Sequence, residues 1–217
     1  MANLGPGMHK SVYSVFIIGV ILSMGSAPVV VAGPDHQIEI RELEGKIQTA
    51  AGKEIAIALS RLIVLYENRS PAKAMAYCAL LKKEYEALGD AQGIAKVLYD
   101  HGNFYYYTGY YDKALNIYRQ MVTHCQDNNL AQWLGRAYVI TGRVYYRQGD
   151  YDTALDYFEK SLKIRRSIND IQGISCALNN FGLVSADLGD YTRAVQFQFD
   201  SLKGYERIGD QFGMGFS

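Results

Sequence analysis

Net charge is missing from this chain. Its 22 lysines and arginines balance 22 aspartates and glutamates over 217 residues. A general nucleic-acid or membrane-surface binder would carry a basic excess to meet phosphates, so neither partner class is expected. Cysteine is scarce and odd in number. Cys78, Cys125 and Cys176 lie 47 and 51 residues apart, too dispersed for a disulfide framework, and read as small buried apolar side chains. The four histidines, His9, His36, His101 and His124, show no metal-ligand spacing. His124 and Cys125 are adjacent, but successive helical residues point about 100° apart and do not readily share a site. There is no nucleophile motif, no Gly-rich phosphate loop and no paired-carboxylate constellation. No catalytic residue, metal or cofactor is therefore expected, and the chain does not read as an enzyme. Nothing alternates with period two over a strand length, which leaves helix as the only regular element.

Acidic residues are absent before Asp35, and Lys10 is the only lysine or arginine before Arg41. Val12 to Met24 is almost wholly apolar, and Val30-Val31-Ala32 precedes Gly33-Pro34. A positive end, a short apolar core and a small-x-small exit describe a signal peptide over residues 1–32, cleaved after Ala32. The alternative is an uncleaved membrane anchor, since Ser11–Ala32 is 22 residues, enough to span. No cysteine lies near the exit to accept a lipid. The expected location is extracytoplasmic, periplasmic or secreted, or else membrane-anchored. Residues 36–51 carry Ile38, Ile40, Leu43 and Ile47 at the spacing of a short amphipathic helix, read as a cap.

What the chain has in abundance is repetition. Gly149-Asp150-Tyr151-Asp152-Thr153-Ala154-Leu155 recurs forty residues earlier as Gly109-Tyr110-Tyr111-Asp112-Lys113-Ala114-Leu115. Forty residues later it returns as Gly189-Asp190-Tyr191-Thr192-Arg193-Ala194-Val195. Between residues 131–170 and 171–210, 13 of 40 positions are identical, among them Gly142/Gly182 and Ser161/Ser201. Such a period predicts a solenoid. Eighteen tyrosines against one tryptophan fall mostly at repeated positions, where packing between helices accounts for them. Repeats are placed at about 52–90, 91–130, 131–170 and 171–210, with the start of a fifth at 211–217. No solvating end helix follows, so the chain reads as a fragment of something longer.

The pattern resembles the tetratricopeptide repeat, two antiparallel helices meeting at a tight turn. The matching residues are the mid-helix glycines Gly102, Gly142 and Gly182, the turn glycines Gly109, Gly149 and Gly189, and the second-helix alanines Ala114, Ala154 and Ala194. Each has a mechanical reason. A mid-helix glycine costs about 1 kcal/mol against alanine and is tolerated where another helix must come close. The turn glycine can take positive φ. Asp90, Asp170 and Asp210 share one register before a helix, as N-caps would. The fold class implied is all-α, an α-α superhelix.

In that family the first helix of each pair lines a concave groove, and the usual ligands are peptides or partner helices. By register the groove residues are Lys96, Tyr99, Asn103 and Tyr106 in repeat two. Arg136, Val139, Arg143 and Arg147, flanked by Tyr146, come from repeat three, and Cys176, Asn179, Asn180 and Leu183 from repeat four. Arg136, Arg143 and Arg147 are spaced by seven and four and share one helical stripe. A cationic stripe beside tyrosines and amides would suit an acidic, extended peptide. The arrangement by which some relatives clamp a C-terminal carboxylate is not reproduced. Asn103 fits it, but Ile140 and Cys176 stand where polar or basic groups are needed.

Two functions are open. One is an exported, non-catalytic module that binds a protein or peptide along the groove. The other follows from the leader, the stretch Leu43–Glu54 and an atypical first repeat. That order is similar to the N-terminal sensory region of some bacterial membrane-bound histidine kinases and nucleotide cyclases. The membrane then enters only through an uncleaved leader or a following segment. A Rap-type cytoplasmic regulator shares the repeat length but would not carry the leader.

Overall fold

A computed structural model describes residues 35–67 and 69–215. The leader expected over residues 1–32 and its cleavage point lie outside the described residues. Among those described there is no strand. The helices are α1 (Asp35–Thr49), α2 (Lys53–Tyr66), α3 (Pro71–Leu88), α4 (Ala91–Tyr107), α5 (Tyr111–Asp127), α6 (Ala131–Gln148), α7 (Tyr151–Ser167), α8 (Ile171–Asp187), α9 (Tyr191–Ile208) and the short α10 (Gln211–Met214). The chain divides into two units, Met1–Glu42 and Leu43–Ser217. Of the first, only the leading half of α1 is described. The second holds the helix pairs α2/α3, α4/α5, α6/α7 and α8/α9, and its first helices touch in succession, α4 to α6 and α6 to α8. Within this unit Glu44 accepts hydrogen bonds from the Tyr66 and Tyr77 hydroxyls at 2.9 and 2.8 Å, which hold its carboxyl below the usual range. No described helix is long and apolar enough to cross a membrane.

Two kinds of turn set the solenoid. Inside a pair, Gly109, Gly149 and Gly189 take φ of 81°, 80° and 80°, where a β-carbon would strain the chain. Between pairs the same register holds Gly89, Asn129, Asn169 and Gly209, with φ from 54° to 68°. Glycine and asparagine share that position because both tolerate the left-handed region. The next helix is then capped. The carboxylates of Asp90, Asp170 and Asp210 each accept from the N–H three residues on, at 2.9 Å.

The repeated small residues mark where helices meet. A β-carbon on Gly102 would run into the ring of Tyr118, which is fully buried. On Gly142 it would stand 2.6 Å from the Phe158 ring, and on Gly182 2.7 Å from the Gln198 amide. The identical serines do parallel jobs. Ser161 donates to the Gly135 carbonyl at 2.8 Å and Ser201 to the Ser175 carbonyl at 2.9 Å, each bonding a second helix to its own first helix from a fully buried position. Burying rings such as Tyr118 and Phe158 contributes about 2–3 kcal/mol apiece.

At the junctions between pairs, bulk is matched to space. Tyr85 lies on Gly93 and Tyr205 on Gly213, so closely that a β-carbon at either glycine would collide with the ring. Arg165 lies on Gly173 in the same way. At the junction of α5 with α6 the sizes are reversed. The second helix offers small, fully buried Cys125, and the following helix carries Trp133 against the same core. Trp133 thereby reaches the face that α4 and α6 share, with its ring 6.1 Å from that of Tyr99.

Candidate functional site

The face shared by α4 and α6 is held by the packing just described. Tyr118 lies over Gly102 and donates its hydroxyl to Asn103 Oδ1 at 2.8 Å. With its oxygen occupied, the Asn103 amide is left with its N–H donors. Beside it Asn103, Tyr106, Tyr107, Tyr118, Ile140 and Arg143 line a shallow dent too tight to enclose a water. The Arg143 guanidinium stands 5.5 Å from the centre of the Tyr106 ring. Tyr106 and Tyr107 meet edge to face at 5.1 Å and form the aromatic wall. Arg143 is half-buried and has no ion pair or hydrogen bond to another described residue. Burial pulls its pKa down, but the surrounding Tyr106, Tyr107, Cys176 and Tyr99 outweigh it, so the net shift is upward and the charge is kept. The dent is thus rich in donors, with a fixed positive charge at one wall.

One step along the face the charges are mutually engaged. Lys96 pairs with Asp100 at 2.7 Å across one helical turn, both side chains about half exposed at 54% and 45%. Burial raises the Asp100 carboxyl above its ordinary value, and Lys96 and then Arg136 offset only part of this. Glu67, just past α2, is also raised, first by burial and then by the charge of Asp100. Arg136 is stacked on Trp133, its guanidinium 5.1 Å from the ring centre.

The structure brings Tyr99, Asn103, Tyr106 and Arg143 together and separates the rest. Lys96, expected as a ligand-facing cation, is bound to Asp100 on its own helix. Asn180 is a correction. It is buried, 8% exposed, and donates to the Cys176 carbonyl at 2.7 Å, so it stabilises α8 and does not face a ligand. Val139 is buried as well. Asn179 accepts from the Gln198 amide at 3.3 Å. Tyr146 sits by Tyr151, 5.9 Å between rings, and its hydroxyl is pushed up to about 12 by burial and then by a bond to Asp187. Arg147 is exposed beside it. Leu183 remains exposed and Cys176 half-buried.

Asp100, Tyr107 and Trp133 belong to this face and were not foreseen. Asp100 had a legible signal, since a carboxylate four residues after Lys96 is a helical ion pair. Trp133 had none, because it replaces the glycine of its register.

Residues 93–167 match the tetratricopeptide repeat family model. Aspartyl phosphate phosphatase F from Bacillus subtilis is similar in structure, with a TM-score of 0.71 at 14% identity over 83% of this chain and 48% of that one. A Rap protein complexed with competence and sporulation factor has a TM-score of 0.67 at 19% identity over 82% and 50%. BtubC (BKLC) from P. vanneervenii has 0.64 at 14% over 82% and 84%. The chain spans about half the length of the first two. No curated protein matches. At these identities the likeness is one of fold: all-α and tetratricopeptide-like, with residues 93–167 matching that family directly.

Proposed function

We propose that this protein is a non-catalytic interaction module whose α4/α6 face receives an extended segment of a peptide or partner protein, held through an acidic side chain at Arg143. One observation carries the reading. A half-buried arginine without an acidic partner among the described residues lines a donor-rich, tyrosine-walled dent. A carboxylate laid on the open mouth of the dent would approach the guanidinium and the Asn103 N–H groups, and charge-assisted bonds of this kind are about twice as strong as neutral ones. An acidic side chain in mid-segment satisfies the dent, and a chain terminus is not required.

The test is selection from a random peptide array. The wild-type protein should enrich sequences containing Asp or Glu, and Arg143→Glu should lose that enrichment. Wild-type selection without acidic bias would sink the reading.

We place the module outside the cytoplasm, on the strength of the leader pattern in residues 1–32. The order of leader, Leu43–Glu54 and repeats also favours a second reading, the sensory region of a membrane-bound histidine kinase or nucleotide cyclase. An immunoblot of fractionated cells separates the two. A soluble extracytoplasmic band below 24.3 kDa supports the free module, and a much larger membrane-bound band supports the sensor.

A further inference from the structure

The charges on the α4/α6 face are not additive in the way their sequence spacing implies. Lys96, Arg136 and Arg143 would form a cationic run, but Asp100 stands among them. It holds Lys96 at 2.7 Å and lies within electrostatic reach of Arg136, whose charge lowers the Asp100 pKa. Four charged groups approach this point from three segments: Glu67 after α2, Lys96 and Asp100 on α4, and Arg136 on α6. Two are positive and two negative, so the group is neutral as a set. Arg143 lies outside it.

We propose that Asp100 is a built-in counter-charge that determines specificity: it occupies Lys96 and attenuates Arg136, so that the groove takes ligands with a single acidic residue at Arg143 and gains nothing from further acids. This rests on the reading of the groove given above.

The physical argument is one of competition. A second ligand carboxylate approaching Lys96 would have to displace Asp100, which is on the same helix and needs no encounter to bind. It would also approach Glu67 and Asp100 themselves, and like charges brought together across an interface suppress the wrong partner. A further anion therefore gains nothing there. The consequence is a groove that gives polyanions no advantage although three cationic side chains line it.

The experiment uses two fluorescein-labelled hexapeptides, hexaglutamate and a sequence with one glutamate among alanines and serines, followed by fluorescence anisotropy on the full chain. Wild-type protein should bind both within about twofold of each other. Asp100→Asn keeps size and removes the charge. It should strengthen hexaglutamate by about five- to tenfold and leave the single-glutamate peptide unchanged, as surface pairs released to a ligand would give. Its hexaglutamate affinity should also fall more steeply with salt than the wild type's, because more cations are engaged. Glu67→Gln serves as the second variant and should move hexaglutamate in the same direction by less.

If Arg143→Glu abolishes binding of both peptides while Asp100→Asn leaves their ratio and salt dependence unchanged, the inference is overturned and the groove reading stands. If neither peptide binds the wild type, or Arg143→Glu has no effect, both fall together. A thermal melt of Asp100→Asn coinciding with the wild type shows that any change in ratio is not lost folding.

Discussion

Repeats three and four share 13 of 40 residues, and the identities fall on the scaffold. Gly142 and Gly182, Ser161 and Ser201, and the turn glycines occupy equivalent contacts. Their first helices differ along the stripe proposed to face a ligand. Where α6 carries Arg136, Arg143 and Arg147, α8 carries Cys176, Leu183 and Asp187. Packing dictates the first set, since a β-carbon on Gly142 would meet the Phe158 ring and one on Gly182 the Gln198 side chain. Nothing in the packing dictates the second, so those positions can be specialised. The comparison teaches which residues hold the solenoid and which give one stretch of it a chemistry.

The strongest way to break the scaffold half of the comparison is at Gly102. Gly102→Ala drives a methyl into the buried Tyr118 ring and should destabilise by about 3 kcal/mol, read as a shift in urea midpoint at constant m. It should also loosen Asn103, whose orientation depends on the Tyr118 hydroxyl.

Next is the junction at Arg165. This side chain is buried, donates to Ser161 at 3.0 Å and pairs with Asp170 at 2.6 Å. Arg165→Ala should lose about 3 kcal/mol, because Asp170 is left without its paired cation. Arg165→Tyr installs the pairing that Tyr85 and Tyr205 already make with their glycines and should lose about 1 kcal/mol. Equal losses in chemical denaturation would show that the junctions are not equivalent.

The ligand-facing half is sharpened by Leu183→Arg, which gives repeat four the cation that repeat three has in that register. Leu183 is 43% exposed, so the substitution needs no repacking. Binding of an acidic peptide should strengthen by about two- to fivefold, the range of an exposed pair. Unchanged affinity in a titration would confine the site to α4 and α6.

The smallest effect is at His101 in repeat two, whose counterpart in repeat three is Thr141. Its Nε2 is buried without a partner, and burial lowers its pKa from 6.5. The folded state therefore binds this proton less readily than the unfolded one. The stability it contributes is present above pH 6.5 and is lost as pH falls below that value through the folded pKa. His101→Gln should flatten the decline in melting temperature over that window.

The sequence made the scaffold legible wherever one residue type recurs for one mechanical reason. Glycines at period forty and the aspartates Asp90, Asp170 and Asp210 could each be given a mechanical reason from the sequence, and Ser161 and Ser201 stood out as identities. The groove was legible in part. Register placed Arg143 beside Tyr106 on the face that α4 and α6 share, but helical spacing does not say which charges are already engaged. Lys96 belongs to Asp100, and Asn180 points into its own helix. Trp133 escaped for the opposite reason: periodicity identifies residues that repeat, and this one breaks the repeat.

That break has a consequence for how such a chain can be rearranged. The unit ending in Cys125 is followed by Trp133 packed on the same core, while units ending in Tyr85, Arg165 or Tyr205 are followed by a glycine whose β-carbon would collide with them. Joining repeat three to a second copy of itself would set Arg165 against Trp133. The four units therefore carry an order. They can be duplicated as blocks that respect their ends, but not shuffled like beads, and the tryptophan that faces the groove can sit only where it does.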